Sequence, residues 1–286
     1  MSMIRLAAFS DEASNSLLGQ IDALKRNGIG LMELRSIDKK NVSEFSDSER
    51  RSYAEILKGE GIGVWSIGSP LGKVDIDVDF NSYLDKVKYV CETANVFETD
   101  RIRMFSFFNA YNERSKVIDY LSKMVETANA FGVKLCHENE KEIYGDTLAR
   151  VKDIMSSVKD LKFIYDPANF IQVGERAEDT LKELHDKTDY FHIKDVIKAT
   201  DELVPAGFGD GNIDGLIKMV NKDVTLTLEP HLAVFDAFKS IDNTEMKHKF
   251  KFASNGEAFD RAVDALKDII VKNGYTAVND GFVKGE

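Results

Sequence analysis

The segment VTLTLEPH (residues 224–231) ends an apolar, β-branched run with an acidic residue, Glu229. Three earlier segments repeat this pattern, and they are VKLCHEN (133–139), LKFIYDPAN (161–169) and DYFHIKD (189–195). The polar residues that end these runs are Glu138, Asp166 and His192. In a barrel of parallel strands, all the carboxyl ends lie at one face, where active sites form. Three carboxylates and an imidazole meeting there would be held together by a divalent cation, so the pattern predicts a parallel α/β fold with a metal site.

The rest of the chain alternates strand-like and helix-like patterns in the same way. Apolar residues recur at i, i+4 and i+7 in Tyr83, Val87 and Val90, a spacing typical of an amphipathic helix. Ser14 is predicted to cap the first helix, which stops at Asn27. Strands are predicted at 4–9, 30–35, 62–67, 101–108, 133–136, 162–165, 190–193 and 224–228. Eight β-then-α units predict one TIM barrel, a (β/α)8 fold, as a single domain over residues 1–286.

A doubly wound open sheet is the alternative topology. It would need a glycine-rich turn after the first strand, and FSDEASNS (9–16) contains no glycine. The longest connection without a clear element is 232–256, and its aromatic residues are Phe235, Phe238, Phe250 and Phe252. This connection fits a lid, an oligomer contact, or simple packing of aromatic rings on the barrel rim.

The bulk composition narrows the class of protein. A hydrophobic content of 43% supports a sizeable core, and a formal net charge of −11 disfavours nucleic acid and anionic membranes as partners. No stretch approaches the roughly 18 apolar residues of a membrane span, and the N-terminus is interpreted as a strand instead of a signal peptide. Cys91 and Cys136 lack a paired spacing and are predicted to be reduced thiols. We therefore expect a cytoplasmic protein with a small-molecule substrate.

The four strand-end residues also indicate which metals and which chemistry to expect. Carboxylate oxygens with one imidazole suit Mn²⁺, Mg²⁺, Co²⁺ or Zn²⁺. Four protein ligands leave one or two positions open, which two adjacent oxygens of a hydroxy-ketone would fill. The ion would then act as a Lewis acid on the carbonyl, acidify the neighbouring C–H and stabilise an enediolate.

These segments resemble the sugar phosphate isomerase/epimerase family, the xylose-isomerase-like barrels, which include ketose 3-epimerases and inosose dehydratases. The resemblance is carried by LCHEN, IYDPANF, FHIKD, LTLEPH and VPAGFGDGNID (204–214). It implies that the metal ligands are Glu138, Asp166, His192 and Glu229. It further implies that Glu138 and Glu229 form the acid–base pair, one removing a proton from the substrate carbon and the other returning one.

Five further residues near these segments are predicted substrate contacts: Asn139, Asn169, Lys194, Asp195 and His231. Asn169 stands where the resembled family often has a histidine, and an amide can bind a hydroxyl but cannot shuttle a proton. Asn139 and His231 could instead orient the carboxylates. Lys194 fits either a substrate contact or a surface ion pair. The sequence shows no second basic residue aimed at the same spot, so a phosphorylated and a free substrate both stay open.

The leading interpretation is a divalent-metal isomerase or epimerase of a sugar or polyol. A dehydratase of an inosose-like keto-polyol is the alternative, because both reactions begin with the same proton abstraction. A metal-dependent hydrolase like the DNA-repair endonucleases is more distant, since it would need many histidines and this chain has five. A non-catalytic sugar-binding barrel would have no need of an acid–base pair. The resemblance also makes a homo-oligomer an expectation.

Overall fold

The computed structural model describes residues 2–232, 247–248, 250 and 252–285. Eight parallel strands form a closed barrel, because the first strand pairs with the second on one side and with the eighth on the other. The strands are β1 (Met3–Ala8), β2 (Leu31–Leu34), β3 (Gly63–Leu71), β4 (Arg101–Met104), β5 (Lys134–Glu138), β6 (Lys162–Tyr165), β7 (Tyr190–Ile193) and β8 (Val224–Leu228). The predicted (β/α)8 barrel is confirmed, and the assignment of residues 1–286 to one domain stays a prediction.

Helices follow the strands and cover the outside of the barrel. They are α1 (Leu17–Arg26), α2 (Asp47–Gly59), α3 (Phe80–Val96), α4 (Arg114–Ala130), α5 (Leu148–Ser157), α6 (Pro167–Gln172), α7 (Ala177–Leu184), α8 (Ile213–Met219) and α9 (Asn255–Lys272). The cap of α1 is Ser16, which accepts from the Gly19 N–H, and the predicted cap Ser14 was wrong. A short 3₁₀ turn at Ser10–Glu12 delays the start of this helix.

The core lies between the barrel and its helices and continues into the barrel interior. Every residue of β7 and β8 is buried, as expected for parallel strands covered on both faces. Helix α9 contributes Val263, Leu266 and Ile270, none of which is exposed. None of the described helices is long and apolar enough to cross a lipid bilayer.

Among the described residues, three hairpins and one short helix were not anticipated from the sequence. Ser36–Ile37 pairs with Lys40–Asn41 after β2. Asp195–Ile197 pairs with Glu202–Val204 just beyond β7. Tyr275–Val278 pairs with Gly281–Lys284, and the second of these strands adds to the edge of β1 in antiparallel orientation. Helix α6 begins directly at Pro167, a residue that favours the first position of a helix.

The aromatic connection at 232–256 lies mostly outside the described residues, and so do Phe235 and Phe238. Of its described rings, Phe250 stacks on Phe252 with centroids 6.4 Å apart, and it meets Phe208 edge to face at 5.5 Å. The lid and oligomer interpretations stay predictions.

The turn after β3 is a point where only glycine fits. Gly72 has φ +85°, and a Cβ there would lie 2.0 Å from the carbonyl oxygen of Phe105. We expect Gly72→Ala to lower the free energy of unfolding by about 3 kcal/mol, since backbone strain and overpacking add. Gly28 has φ +61° with no neighbour within 4 Å, so Gly28→Ala should cost only about 1 kcal/mol. Equal urea midpoints for the two variants would contradict this account.

Candidate metal centre

The four strand-end residues meet at the carboxyl-terminal face of the barrel. Glu138 ends β5, Asp166 follows β6, His192 lies in β7 and Glu229 follows β8. All four are buried, and each offers a ligand atom such that these atoms lie within 4.8 Å of one another. The set joins three carboxylates to one imidazole, which suits a divalent ion.

A second observation also indicates that these donor atoms suit a bound ion. Asp166 Oδ2 and Glu229 Oε2 are buried and accept no hydrogen bond of good geometry, although each lies close to a cationic group. Buried carboxylate oxygens are costly without a partner. Lone pairs directed into the cluster are what a bound cation would use.

The imidazole of His192 lies at the centre of the carboxylates. Its Nδ1 is 3.0 Å from Glu138 Oε1 and 3.1 Å from Glu229 Oε2, while its Nε2 is 3.2 Å from Glu33 Oε2. Burial alone would lower the pKa of His192, but the carboxylates of Glu138 and Glu33 outweigh it and raise the pKa well above its usual value. A positive charge is therefore favoured at this point of the site.

Three buried cations border the same carboxylates. Arg103 Nη1 lies 3.2 Å from both Glu138 Oε2 and Glu229 Oε1. Arg35 Nη1 donates to Glu229 Oε1 at 3.0 Å, and Lys194 Nζ lies 2.9 Å from Asp166 Oδ2. The sequence showed no second basic residue aimed at the same spot as Lys194, whereas the structure places Arg103 and Arg35 on the same carboxylate cluster.

These contacts give the carboxyl groups different acidities. Burial raises the pKa of Asp166 to about 7, against the lowering by Lys194. Burial also acts to raise the pKa of Glu229, but Lys194 and the nearby imidazole of His192 hold it well below its usual range. Glu229 is thus the more firmly ionised of these two groups.

Two buried acids after β1 contact residues beside the carboxylate cluster and hold them in place. Asp11 accepts a bidentate pair from Arg35, with Nε to Oδ2 at 2.8 Å and Nη2 to Oδ1 at 2.9 Å. Glu12 accepts from the backbone N–H of His231 at 2.9 Å, and burial raises the pKa of Glu12 to about 8. His231 itself has a left-handed backbone, with φ +49°, so the Glu12 bond helps to fix a strained residue.

A cleft opens beside Glu229. It is lined by Arg35, Asn41, Gly68, Pro70, Lys73, Arg103, Glu140, Glu229 and His231. Lys73 donates to Glu140 at 3.0 Å. Burial would raise the pKa of Glu140, yet Lys73 and Lys194 lower it to about 2. His231 reaches the cleft with Nε2 3.4 Å from Glu229 Oε1, and burial lowers its pKa to about 3.

The two asparagines tie the ligand strands together. Asn139 donates from Nδ2 to the backbone oxygen of Asp166 at 2.8 Å and accepts from its N–H at 2.9 Å. Asn169 donates to the backbone oxygen of Asn139 at 2.9 Å, and its Nδ2 is 3.4 Å from Glu138 Oε1. Asp166 also caps α6 by accepting from the Asn169 N–H. Asn139 therefore orients the backbone of Asp166, and Asn169 reaches the cluster itself.

Lys194 and Asp195 are neighbours in the chain with different surroundings. Lys194 is buried beside Asp166, which excludes the surface ion pair considered above. The carboxylate of Asp195 accepts four backbone hydrogen bonds, from the N–H groups of Gly207, Gly209, Gly211 and Val196. Its acceptor capacity is used by the glycine loop, so we do not carry Asp195 forward as a substrate contact.

Arg103, Arg35 and Glu33 are not among the site residues predicted from the sequence. A signal was present, because Arg103 lies between Ile102 and Met104 in a strand, and charged residues in buried strands are costly unless paired. Which face each one occupies depends on strand register, which the sequence alone does not reveal.

The family comparison matches residues 21–231 to the xylose isomerase-like TIM barrel. This chain belongs to that family. The resemblance seen in the sequence is thereby confirmed. No curated protein matches the chain.

Solved structures of the same fold include the IolI protein with a bound zinc atom, 17% identical, covering 94% of this chain and 99% of that chain with a TM-score of 0.73. L-ribulose 3-epimerase is 15% identical over 96% of each chain, with a TM-score of 0.72. The probable 3-DHS dehydratase AsbF from Bacillus anthracis is 16% identical, covering 93% of this chain and 99% of that chain, with a TM-score of 0.69. At these identities the likeness concerns the fold.

The variant Asp166→Asn tests the metal centre, because asparagine keeps the cap of α6 while removing the charge. In the wild type, Mn²⁺ at about 100 times its Kd should raise the free energy of unfolding by about 2.7 kcal/mol. We expect most of that gain to disappear in Asp166→Asn, as measured by urea titration with and without Mn²⁺. Asp153→Asn, which loses an ion pair with Arg114 on the outside, is the matched control and should keep the gain. Equal gains in both variants would count against the site.

The role of Asp195 is tested by the variant Asp195→Ala. Four backbone donors lose their acceptor, so we expect the free energy of unfolding to fall by about 3 kcal/mol and proteolysis within 207–211 to accelerate. Mn²⁺ affinity should stay unchanged. Asp195→Asn keeps one acceptor oxygen and should lose less stability. A loss of Mn²⁺ binding at unchanged stability would return Asp195 to the site.

Proposed function

We propose that this protein is a divalent-metal-dependent isomerase or epimerase of a sugar or sugar-like polyol. The observation that carries the proposal is the convergence of Glu138 and Glu229 with Asp166 and His192 in one buried cluster. Those four residues would hold Mn²⁺, Mg²⁺, Co²⁺ or Zn²⁺, and Glu138 and Glu229 would also serve as the acid–base pair. When bound, the ion would polarise the carbonyl of a hydroxy-ketone and acidify the neighbouring C–H.

In this mechanism the two glutamates move the protons. Glu229 is ionised and lines the small cleft, so it is placed to remove a proton from the substrate carbon. Glu138 comes from β5, three strands away from β8 in the barrel order, and would return a proton to the carbon. Arg103 contacts both carboxylates and holds them in a fixed relation to each other.

The remaining predicted contacts would bind the substrate and hold it. Lys194 keeps its proton, because the carboxylates of Asp166 and Glu229 outweigh the effect of burial and raise its pKa. It would therefore donate to a substrate oxygen without acting as a proton shuttle. Asn169 and His231 lie within reach of the glutamates and would bind hydroxyl groups. The family likeness supports a carbohydrate or polyol as the ligand class.

The dehydratase alternative shares the first proton transfer and differs in the second step. It is supported by the similarity in fold to the probable 3-DHS dehydratase. The TM-score for that structure, 0.69, is close to the value of 0.72 for L-ribulose 3-epimerase. The products of one experiment separate the two reactions.

Deuterium exchange tests this proposal directly. The protein is loaded with Mn²⁺ in D₂O and incubated with a panel of ketoses, ketose phosphates and inososes, and the mixtures are followed by NMR. We expect metal-dependent incorporation of deuterium next to the carbonyl of one class. An epimer, an isomer or a dehydrated compound in the product spectrum then names the reaction.

The glutamate variants serve as controls for the same experiment. Glu229→Gln should slow deuterium exchange, and Glu138→Gln should slow formation of the epimer or isomer, each by about 10²–10⁴-fold, the usual contribution of a general acid or base. Metal content is measured in each variant, since both residues are also candidate ligands. Undiminished turnover in either metal-loaded variant would refute the acid–base pair. Metal binding without exchange on any panel member would refute the proposed reaction.

A further inference from the structure

Glu33 is a buried carboxylate on the far side of the barrel from the strands that carry the four ligands. It lies in β2 and is 1% exposed. The pairing of β2 with β3 shifts at this point, so that Met32 pairs with Val64 but Glu33 pairs with Ser66. The extra residue in β3 is Trp65. Such a bulge redirects side chains, and here it brings Trp65 and Ser66 together on the ring of Tyr190.

The two oxygens of Glu33 have different partners on one strand. Oε2 lies 3.2 Å from His192 Nε2, and Oε1 accepts from the Tyr190 hydroxyl at 2.9 Å. Tyr190 and His192 are two residues apart in β7, so both side chains point into the barrel. The Tyr190 hydroxyl is also 3.1 Å from Ser66 Oγ, which fixes it from the other side. Glu33 is thereby held in one orientation.

The burial of Glu33 needs an explanation beyond packing. Within the described residues, Glu33 forms an ion pair with one side chain, that of His192. A buried carboxylate with a neutral tyrosine and an imidazole as its partners is costly to keep. Its position is informative, because it contacts Nε2 of His192, whereas Glu138 and Glu229 contact Nδ1.

Carboxylates face both ring nitrogens of His192, and the contact with Glu33 would keep a proton on Nε2 when an ion takes the place of the proton on Nδ1. In the neutral imidazole the lone pair then lies on Nδ1, which is the atom beside Glu138 and Glu229. Metal-binding histidines commonly donate their other N–H to such a carboxylate, which sets the tautomer and strengthens the ligand.

We propose that Glu33 is a positioning residue that presents His192 Nδ1 to the divalent ion, with Tyr190 and Ser66 holding Glu33 in turn. This inference rests on the metal centre of the proposed function and adds a residue that acts on the ion through His192. It does not depend on which sugar reacts.

The variant Glu33→Gln keeps the shape of the side chain and removes its charge. We expect the Kd for Mn²⁺, measured by the electron paramagnetic resonance signal of the free ion, to rise by about 10–100-fold. Glu183→Gln is the matched control, because it makes the same change at an exposed ion pair with Lys152 and leaves both Glu33 contacts in place. Its Kd should stay close to that of the wild type. A Glu33→Gln protein that binds Mn²⁺ as tightly as the Glu183→Gln protein would overturn the inference.

A second measurement needs no variant. In ¹⁵N-histidine protein loaded with Zn²⁺, two-bond ¹H–¹⁵N correlations should show His192 protonated at Nε2, with Nδ1 carrying the metal. Protonation at Nδ1 in the loaded wild type would equally overturn the inference, even if Glu33→Gln does not fold.

The two proposals fail in different ways. If Mn²⁺ binds tightly and its binding depends on Glu33, but no sugar exchanges deuterium, this inference is supported and the proposed reaction is contradicted. Deuterium exchange together with a Kd for Mn²⁺ that is unchanged in Glu33→Gln would support the proposed reaction and contradict the role of Glu33. A wild-type protein that takes up no divalent ion would remove both.

Discussion

The structure depends on burying more carboxylates than cations at the mouth of the barrel. Among the described residues, six acids there are buried, and they are Asp11, Glu12, Glu33, Glu138, Asp166 and Glu229. The buried cations that contact them are Arg35, Arg103 and Lys194. Burial raises the pKa of Glu12 to about 8, so that group is mostly neutral at pH 7. The other five carboxyl groups still outnumber the three cations, and a divalent ion would offset that excess, which is why the cluster is a candidate cation site.

The barrel and the meeting of the four candidate ligands were predictable because both rest on local patterns. Apolar β-rich runs alternate with helical periodicity, and the closing of parallel strands brings their carboxyl ends to one face. A polar residue at the end of such a run is placed by the topology alone. The convergence of the four candidate ligands could therefore be predicted without knowledge of side-chain packing. These residues are Glu138, Asp166, His192 and Glu229. Their roles as ligands and catalysts stay proposals.

The remainder of the site was not predictable, because it depends on register and on loop geometry. Arg103 lies within a strand, and only its pairing decides that it faces the glutamates. The side-chain direction of Glu33 depends on a bulge at Trp65, and no local sequence pattern predicts that bulge. Asp195 looked like a site residue from its closeness to His192, but it accepts hydrogen bonds from a glycine loop instead. Side-chain direction along a strand alternates, so nearness in sequence is a poor guide to nearness in the site.

The contacts of the two glutamates bear on how an acid–base pair would divide its work. Arg103 Nη1 is equally far from an oxygen of each, at 3.2 Å, so moving a proton from one glutamate to the other leaves Arg103 beside a charged carboxylate. Arg35 breaks that symmetry, because it contacts Glu229 but forms no ion pair with Glu138 among the described residues. The pKa of Glu229 is held well below its usual range, so this carboxylate is ionised, and it lines the small cleft. In our proposal this assigns the first proton abstraction to Glu229, because a base must be unprotonated before it can act.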